Sequence, residues 1–106
     1  MYDPHAFRLD GAVALVTGAG AGIGRAIAET FAAVGAAVAV TDRYAATAQQ
    51  VADAIQAAGG KATSAACDVT QEEDLVAAVD LTVDAFGGLT ILVNNAGGGG
   101  PKPFDM

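Results

Sequence analysis

Glycine is concentrated in one short segment, residues 17–24, which reads Thr-Gly-Ala-Gly-Ala-Gly-Ile-Gly. Glycine lets bare backbone approach a ligand, and the amide groups at a helix N-terminus point towards an anion. Such a turn between a strand and a helix would cradle a pyrophosphate. The spacing fits Gly18-x-x-x-Gly22-x-Gly24, whereas neither a P-loop nor the Gly-x-Gly-x-x-Gly pattern is present. A glycine turn that serves only helix packing is the simpler alternative.

An acidic residue, Asp42, follows a second apolar run and lies twenty residues beyond Gly22. A dinucleotide-binding fold places there the carboxylate that accepts hydrogen bonds from the adenosine ribose. A carboxylate at this position favours NAD, because it repels the 2'-phosphate of NADP. The neighbouring Arg43 could pair with that phosphate, or it could be a solvated surface charge. Without the glycine segment, Asp42 would be interpreted as an exposed acid at a strand end.

Two further pairs of residues follow apolar runs. Asp68 could accept a hydrogen bond from an adenine amino group and Val69 could touch the ring, although an acid before a helix also stabilises the helix dipole. Asn94 and Asn95 carry amides that can tie strand ends together and hold the backbone open for a ligand. Cys67 has no nearby His, so we predict a buried small hydrophobic residue rather than a nucleophile.

Four short apolar runs alternate with three segments of helical periodicity. The predicted strands cover residues 12–16, 36–41, 63–66 and 90–93. The predicted helices run from Ile23 to a C-terminal cap at Gly35, over residues 45–58, and from Thr70 to Gly87.

All three predicted helices have apolar residues at helical spacing, which in the second helix are Val51 and Ile55. Ile23, Ile27 and Phe31 recur every four residues in the first helix. The third helix should begin with a Thr-x-x-Glu capping box formed by Thr70 and Glu73. Its predicted buried face contains four residues: Leu75, Val79, Val83 and Phe86.

Alternating strands and helices predict an α/β fold, a Rossmann-type doubly wound parallel sheet, because parallel neighbours need crossover helices. Right-handed crossovers give the strand order 3-2-1-4 if the fourth strand returns to lie beside the first. The order then reverses between strands one and four. A crevice opens at the carboxyl ends of the strands at such a reversal, and both the glycine segment and the asparagine pair fall there.

The composition of the 106-residue chain narrows the classes of partner and of site. The chain is 53% hydrophobic, and its length and composition suit one domain. Its 12 acidic and 5 basic residues give a net charge of -7, which disfavours nucleic acids and anionic membranes as partners. A single Cys and a single His predict neither a disulfide framework nor a metal site. The longest uncharged stretch, residues 85–101, contains six glycines, so we expect no membrane span. A reducing cytoplasm fits best.

Taken together, residues 17–24, Asp42, Asp68-Val69 and Asn94-Asn95-Ala96-Gly97 resemble the short-chain dehydrogenase/reductase family in order and spacing, from about Phe7 to the end of the chain. The resemblance implies that NAD is the cofactor and that the full enzyme is a homo-oligomer, a homotetramer. It also implies roles for individual residues: Gly18, Gly22, Ile23 and Gly24 would hold the pyrophosphate, Asp42 the adenosine ribose, Asp68 and Val69 the adenine, and Asn95 the nicotinamide-side ribose region.

Residues 94–106 and the lead-in Arg8-Leu9-Asp10-Gly11 are similar to the bacterial 7α-hydroxysteroid dehydrogenases within that family, which implies a bile-acid-like alcohol as substrate. Reductases of 3-oxoacyl carrier proteins and sugar-alcohol dehydrogenases share the same motifs. The family's catalytic Tyr-x-x-x-Lys is missing, since neither Tyr2 nor Tyr44 has a Lys four residues later. We therefore expect residues 1–106 to be a partial NAD-binding domain, the N-terminal half of an enzyme without its catalytic residues. A stand-alone dinucleotide-binding module and an inert fragment are the alternatives.

Overall fold

A computed structural model describes residues 8–95, and within them strands and helices alternate throughout. The elements are β1 (Val13–Thr17), α1 (Gly22–Ala33), β2 (Ala37–Asp42), α2 (Ala45–Ala57), β3 (Lys61–Ala66), α3 (Glu72–Phe86) and β4 (Ile91–Asn94). Each boundary lies within two residues of its predicted place. The lead-in with His5, the residues Ala96 and Gly97 of the fourth motif, and the glycine and proline run after them lie outside the described residues.

The described strands form one parallel sheet in the order β3-β2-β1-β4, which confirms the predicted fold class and strand order. Val16 pairs with Val40 on one side and with Val93 on the other, so the carboxyl ends of these three strands lie side by side. At the opposite end, the Val13 N–H donates to the Thr90 hydroxyl at 2.7 Å and joins β1 to the start of β4. The order reverses at β1, between β2 and β4, and a crevice is expected at the carboxyl ends of the strands there.

Successive residues of the central strands face opposite layers of the core. Val16, Val38 and Val40 pack with α1 and α2, whereas Leu15 and Ala39 pack with α3. All five residues of β1 are buried because helices cover both faces of this strand. Cys67 is buried in the layer beneath α3, as predicted.

The helix stripes agree with the prediction in part, since Ile27, Phe31, Leu75 and Val79 pack against the core, but smaller residues are the most deeply buried. The buried residues of α1 are Gly24 and Ala28, and those of α3 are Ala78 and Thr82. Ile23 is 73% exposed and Val83 is 42% exposed, so their assignment to the buried stripes is wrong. Ile23 belongs to the first turn of α1, at the carboxyl edge of the sheet, and Val83 lies beside the line of small residues that touches the strands.

The fourth strand is buried on one face only. Val93 packs against the layer of α1 and α2, whereas Leu92, on the opposite face, is 59% exposed. The apolar run of β4 is therefore covered on the face of Val93 but not on the face of Leu92. The reason is that α3 packs mainly against β1, β2 and β3. We call this face of β4, which carries Leu92, the uncovered apolar face. Val76 and Val83 of α3 are exposed as well.

The start of α3 also departs from the predicted capping box. Gln71 precedes the helix, and no side chain caps it. The Thr70 hydroxyl instead donates to the Asp68 carboxylate at 2.7 Å. The first turn contains three acids, Glu72, Glu73 and Asp74, whose negative charges already stabilise the positive end of the helix dipole. No helix within residues 8–95 is long and apolar enough to cross a membrane.

Candidate functional site

The glycine segment forms the turn that leaves β1 and enters α1. Gly18 has a φ of 62° and Gly22 a φ of 61°, a left-handed conformation that glycine adopts without a steric penalty. Gly24 is required for a different reason. A β carbon there would collide with the Gly18 carbonyl oxygen and lie 2.6 Å from Nδ2 of Asn95. These three predicted residues therefore allow the helix to begin directly against the end of the sheet.

The N-terminus of α1 lacks the groups that usually neutralise a helix start. Ala21 is the capping residue and offers no side-chain hydrogen bond, and the first turn contains no acid. The first intrahelical hydrogen bond runs from the Arg25 N–H to the Ala21 carbonyl at 3.4 Å, so Gly22, Ile23 and Gly24 precede it. Amide groups at this position favour an anion. The arrangement can therefore receive a phosphate group at the mouth of the crevice.

The glycine turn is hydrogen-bonded to β2 through two of its own main-chain N–H groups. The Ala19 N–H donates to the Thr41 carbonyl at 2.9 Å, and the Gly20 N–H donates to Oδ1 of Asp42 at 3.2 Å. The other carboxylate oxygen of Asp42, Oδ2, accepts the Tyr44 N–H at 3.2 Å. The half-buried Asp42 side chain thus lies directly against the glycine turn, where the motif spacing predicts the ribose-binding carboxylate.

The turn is also fastened to β4. Nδ2 of Asn95 donates to the Gly18 carbonyl at 3.1 Å, while the Asn95 N–H donates to the Thr17 hydroxyl at 3.0 Å. That hydroxyl donates in turn to Oδ1 of Asn94 at 2.9 Å. Asn95 therefore holds the loop main chain in place. Thr17 and Gly20 take part in this framework although the predicted set of site residues omits both.

Asp68, Val69 and Arg43 lie at the ends of β3 and β2. Oδ1 of Asp68 accepts the hydroxyl of Thr70 at 2.7 Å and its N–H at 3.0 Å, and these two bonds hold the pKa of Asp68 below its usual value. The nearby positive charge of the exposed Arg43 lowers this pKa further. Val69 is half-buried and packs against the layer of Leu15. This end of the crevice therefore carries an ionised carboxylate beside an arginine.

Cys67 joins the same end of the sheet through its main chain, since its N–H donates to the Asp42 carbonyl at 2.8 Å. Burial raises the pKa of its thiol, and the negative charges of Asp74 and Asp68 raise it further. The thiol is therefore protonated at neutral pH and is a poor nucleophile. Within residues 8–95, no three His, Cys, Asp or Glu residues gather as a metal site would require.

A separate cavity of about 570 Å³ lies at the opposite, amino-terminal edge of the sheet. It opens between α1 and α2, and its rim includes Lys61 and the ion pair of Arg8 with Asp10, whose nearest atoms are 3.0 Å apart. The strands separate this cavity from the glycine turn.

Comparison with known proteins identifies the family. Residues 12–106 match the short chain dehydrogenase family. The chain belongs to the short-chain dehydrogenases. Among the relatives of this family member is the 7alpha-hydroxysteroid dehydrogenase of Escherichia coli K12, which is 54% identical over 106 residues, 100% of this chain and 42% of the relative. The D-threitol dehydrogenase of Mycolicibacterium smegmatis is 46% identical over 91 residues, 86% of this chain and 35% of the relative.

Solved structures of short-chain dehydrogenases share the same architecture. A 7 alpha-hydroxysteroid dehydrogenase complexed with NADH and 7-oxo glycochenodeoxycholic acid superposes with a TM-score of 0.88 at 54% identity, over 100% of this chain and 42% of that one. A hydroxysteroid dehydrogenase from Escherichia coli gives a TM-score of 0.87 over 98% of this chain and 44% of that one. The chain therefore spans less than half the length of the proteins it matches.

Proposed function

We propose that this chain is the part of an NAD-dependent oxidoreductase that binds the adenosine diphosphate half of the cofactor. The observation that carries the proposal is the Asp42 carboxylate held by the Gly20 N–H at 3.2 Å, beside the uncapped N-terminus of α1. The carboxylate suits ribose hydroxyls, and the helix N-terminus suits a pyrophosphate. Because the two lie side by side, together they suit a dinucleotide. When bound, the nicotinamide cofactor supplies hydride chemistry, and the residues of this chain bind and orient it.

Each predicted residue has a role in this proposal. Backbone at Gly18, Gly22, Ile23 and Gly24 holds the pyrophosphate, Asp42 accepts from the ribose hydroxyls, and Asp68 and Val69 meet the adenine. Asn95 serves the nicotinamide-side ribose region and also positions the turn, since its amide already donates to the Gly18 carbonyl. Arg43 lies beside the adenosine end, where its charge is partly offset by Asp68.

For the whole enzyme we propose a 7α-hydroxysteroid of the bile-acid type as substrate. The support is the 54% identity over 106 residues to an Escherichia coli enzyme of that name. A sugar alcohol is the second candidate, supported by the 46% identical D-threitol dehydrogenase. The family's Tyr-x-x-x-Lys is absent from these 106 residues, so we place catalysis outside them. We also propose that the enzyme works in the cytoplasm as a homo-oligomer.

Cofactor binding is tested by titrating the chain with NADH and NADPH and following nicotinamide fluorescence. We expect NADH to bind more tightly than NADPH, because the Asp42 carboxylate repels a 2'-phosphate. Absence of binding by either cofactor would contradict the proposal for this chain.

Catalysis is tested with a hybrid in which residues 1–106 replace the matching segment of the Escherichia coli enzyme. We expect NADH formation from cholic acid by the hybrid, none from its 7β epimer, and no turnover by the 106-residue chain alone. General acid-base catalysis raises a reaction rate about 10²- to 10⁴-fold, and these 106 residues lack the Tyr-x-x-x-Lys motif that would provide it. Turnover by the short chain would place catalysis within it. If a longer natural protein does not oxidise cholic acid but oxidises threitol or reduces acyl thioesters, the proposed substrate is wrong and the proposed cofactor still stands.

A further inference from the structure

Gly20 is a buried glycine whose backbone does not require glycine. Unlike Gly18 and Gly22, it has no positive φ. Space is the constraint, because a β carbon at Gly20 would lie 2.8 Å from Cγ and 2.9 Å from Oδ1 of Asp42, and 3.0 Å from the β carbon of Thr47. Carbon atoms in contact lie about 3.5–4.0 Å apart. Any side chain at this position must therefore displace Asp42, Thr47 or the turn itself.

The same glycine also orients the Asp42 carboxylate. Its N–H donates to Oδ1 across a separation of 22 residues, while the Tyr44 N–H donates to Oδ2 from only two residues away. One donor on each oxygen leaves the carboxylate a single orientation. The Tyr44 bond belongs to the local turn after β2, so the Gly20 bond is the one that ties the carboxylate to the glycine turn.

We propose that Gly20 is a positioning residue that sets cofactor preference through Asp42. Its N–H and its missing side chain hold the carboxylate close to the turn, where it accepts hydrogen bonds from ribose hydroxyls and excludes a phosphate at the 2' position. This inference rests on the proposed function. It differs from a general role in loop shape, since both NADH and NADPH carry the pyrophosphate. A distorted turn would weaken the binding of both cofactors alike, whereas a displaced Asp42 would weaken the binding of NADH selectively.

The test compares four variants of the chain, Gly20→Ala, Asp42→Ala, the double variant and Gly88→Ala, by titration with NADH and NADPH. Gly20→Ala should reduce the preference for NADH about tenfold, the loss of roughly one hydrogen bond to a charged group. The double variant should show no loss beyond that of Asp42→Ala, because residues that act as a unit are not additive. Gly88→Ala is the matched control, since a β carbon there meets open space and its φ is not positive.

Three results of these titrations would overturn the inference. Equal weakening of NADH and NADPH by Gly20→Ala would indicate loop distortion, and additive effects of the two substitutions would show that Gly20 does not act through Asp42. Both of these results leave the proposed function standing. If the wild-type chain binds neither cofactor, the proposed function fails and this inference fails with it.

A second measurement keeps the test decisive if Gly20→Ala does not fold. In the Asp42→Ala variant, the NMR resonance of the Gly20 amide proton should move upfield, since it loses its acceptor. An unmoved Gly20 resonance would overturn the inference.

Discussion

In the proposed function the Asp42 carboxylate has two tasks. It accepts main-chain N–H groups of Gly20 and Tyr44, and it remains partly exposed at the carboxyl edge of the sheet. Each oxygen can accept more than one hydrogen bond, so ribose hydroxyls can bind without displacing the main-chain donors. In the proposed function, one residue can therefore both stabilise the turn and bind the ribose of the cofactor.

Removal of the Asp42 side chain should weaken NADH binding. We expect Asp42→Ala to cost roughly 1.5–3 kcal/mol, about 10- to 150-fold in affinity, because charge-assisted hydrogen bonds are lost. NADPH should lose less or gain, as Arg43 can then meet the 2'-phosphate. Titration with both cofactors checks this. Asp53→Ala is the control, because it removes the same charge from the exposed surface of α2, where Asp53 accepts a hydrogen bond from Gln49. Unchanged NADH affinity in Asp42→Ala would make Asp42 a structural acid only.

The lowered pKa of Asp68 has its main cause in the Thr70 hydroxyl. We expect Thr70→Val to raise this pKa towards the ordinary value of about 3.9, because the side-chain donor is lost while the main-chain donor stays. A depressed acid pKa stabilises the fold above the pKa of the unfolded chain, and this contribution disappears as the pH falls through the folded value. NMR titration of the Asp68 carboxyl carbon measures the shift. Thr63→Val, on β3, serves as control, and an Asp68 pKa that stays low in Thr70→Val would contradict the assignment.

Among the elements, β4 differs from β1 in how it is covered, although Leu92 and Leu15 are register partners on the same face of the sheet. Leu15 is fully buried beneath α3, whereas Leu92 lies on the uncovered apolar face. We expect Leu15→Ala to lower the free energy of unfolding by about 2–5 kcal/mol. Leu92→Ala should change it by no more than about 0.5 kcal/mol, as for other surface positions. Urea unfolding of both variants measures the difference, and equal costs would show that another segment covers Leu92.

Sequence periodicity was sufficient to predict the elements because burial on both faces leaves a clear signal, as in β1 and β2. It predicted the buried helix faces only in part. Ile27 and Phe31 of α1 do pack against the core. Gly24 and Ala28 are more deeply buried, and they carry little hydrophobic signal. The Thr70 capping box failed for a related reason, because a competing acceptor, Asp68, takes the hydroxyl. The bond between Gly20 and Asp42 could not be predicted, because the spacing places Asp42 near the turn without showing which main-chain N–H its carboxylate accepts. The spacing of Asp42 from the glycine turn, by contrast, was readable directly.

At the scale of the whole molecule, the uncovered apolar face and the net charge of -7 have opposing effects. Apolar contact favours association of chains, whereas like charges repel one another. We expect the 106-residue chain to self-associate, and to do so more strongly as salt screens the repulsion over a Debye length of about 10 Å at 0.1 M. Sedimentation at low and high salt measures this, and Leu92→Lys should reduce it. A stable monomer at every salt concentration would contradict the expectation.

The hydrogen bonds between β1 and the segment of β4 also affect the order of folding. Thr90 and Asn95 contact residues that precede them by 77 and 78 positions, so the glycine turn gains its second anchor only after nearly the whole described chain is available. Closing so long a loop costs entropy before any contact repays it, and non-local pairing of this kind slows folding. During synthesis on the ribosome, β1, α1 and β2 can assemble first, with the turn held by Thr41 and Asp42 alone. Within residues 8–95, the glycine turn therefore gains its bonds to Asn95 only after β4 has left the exit tunnel.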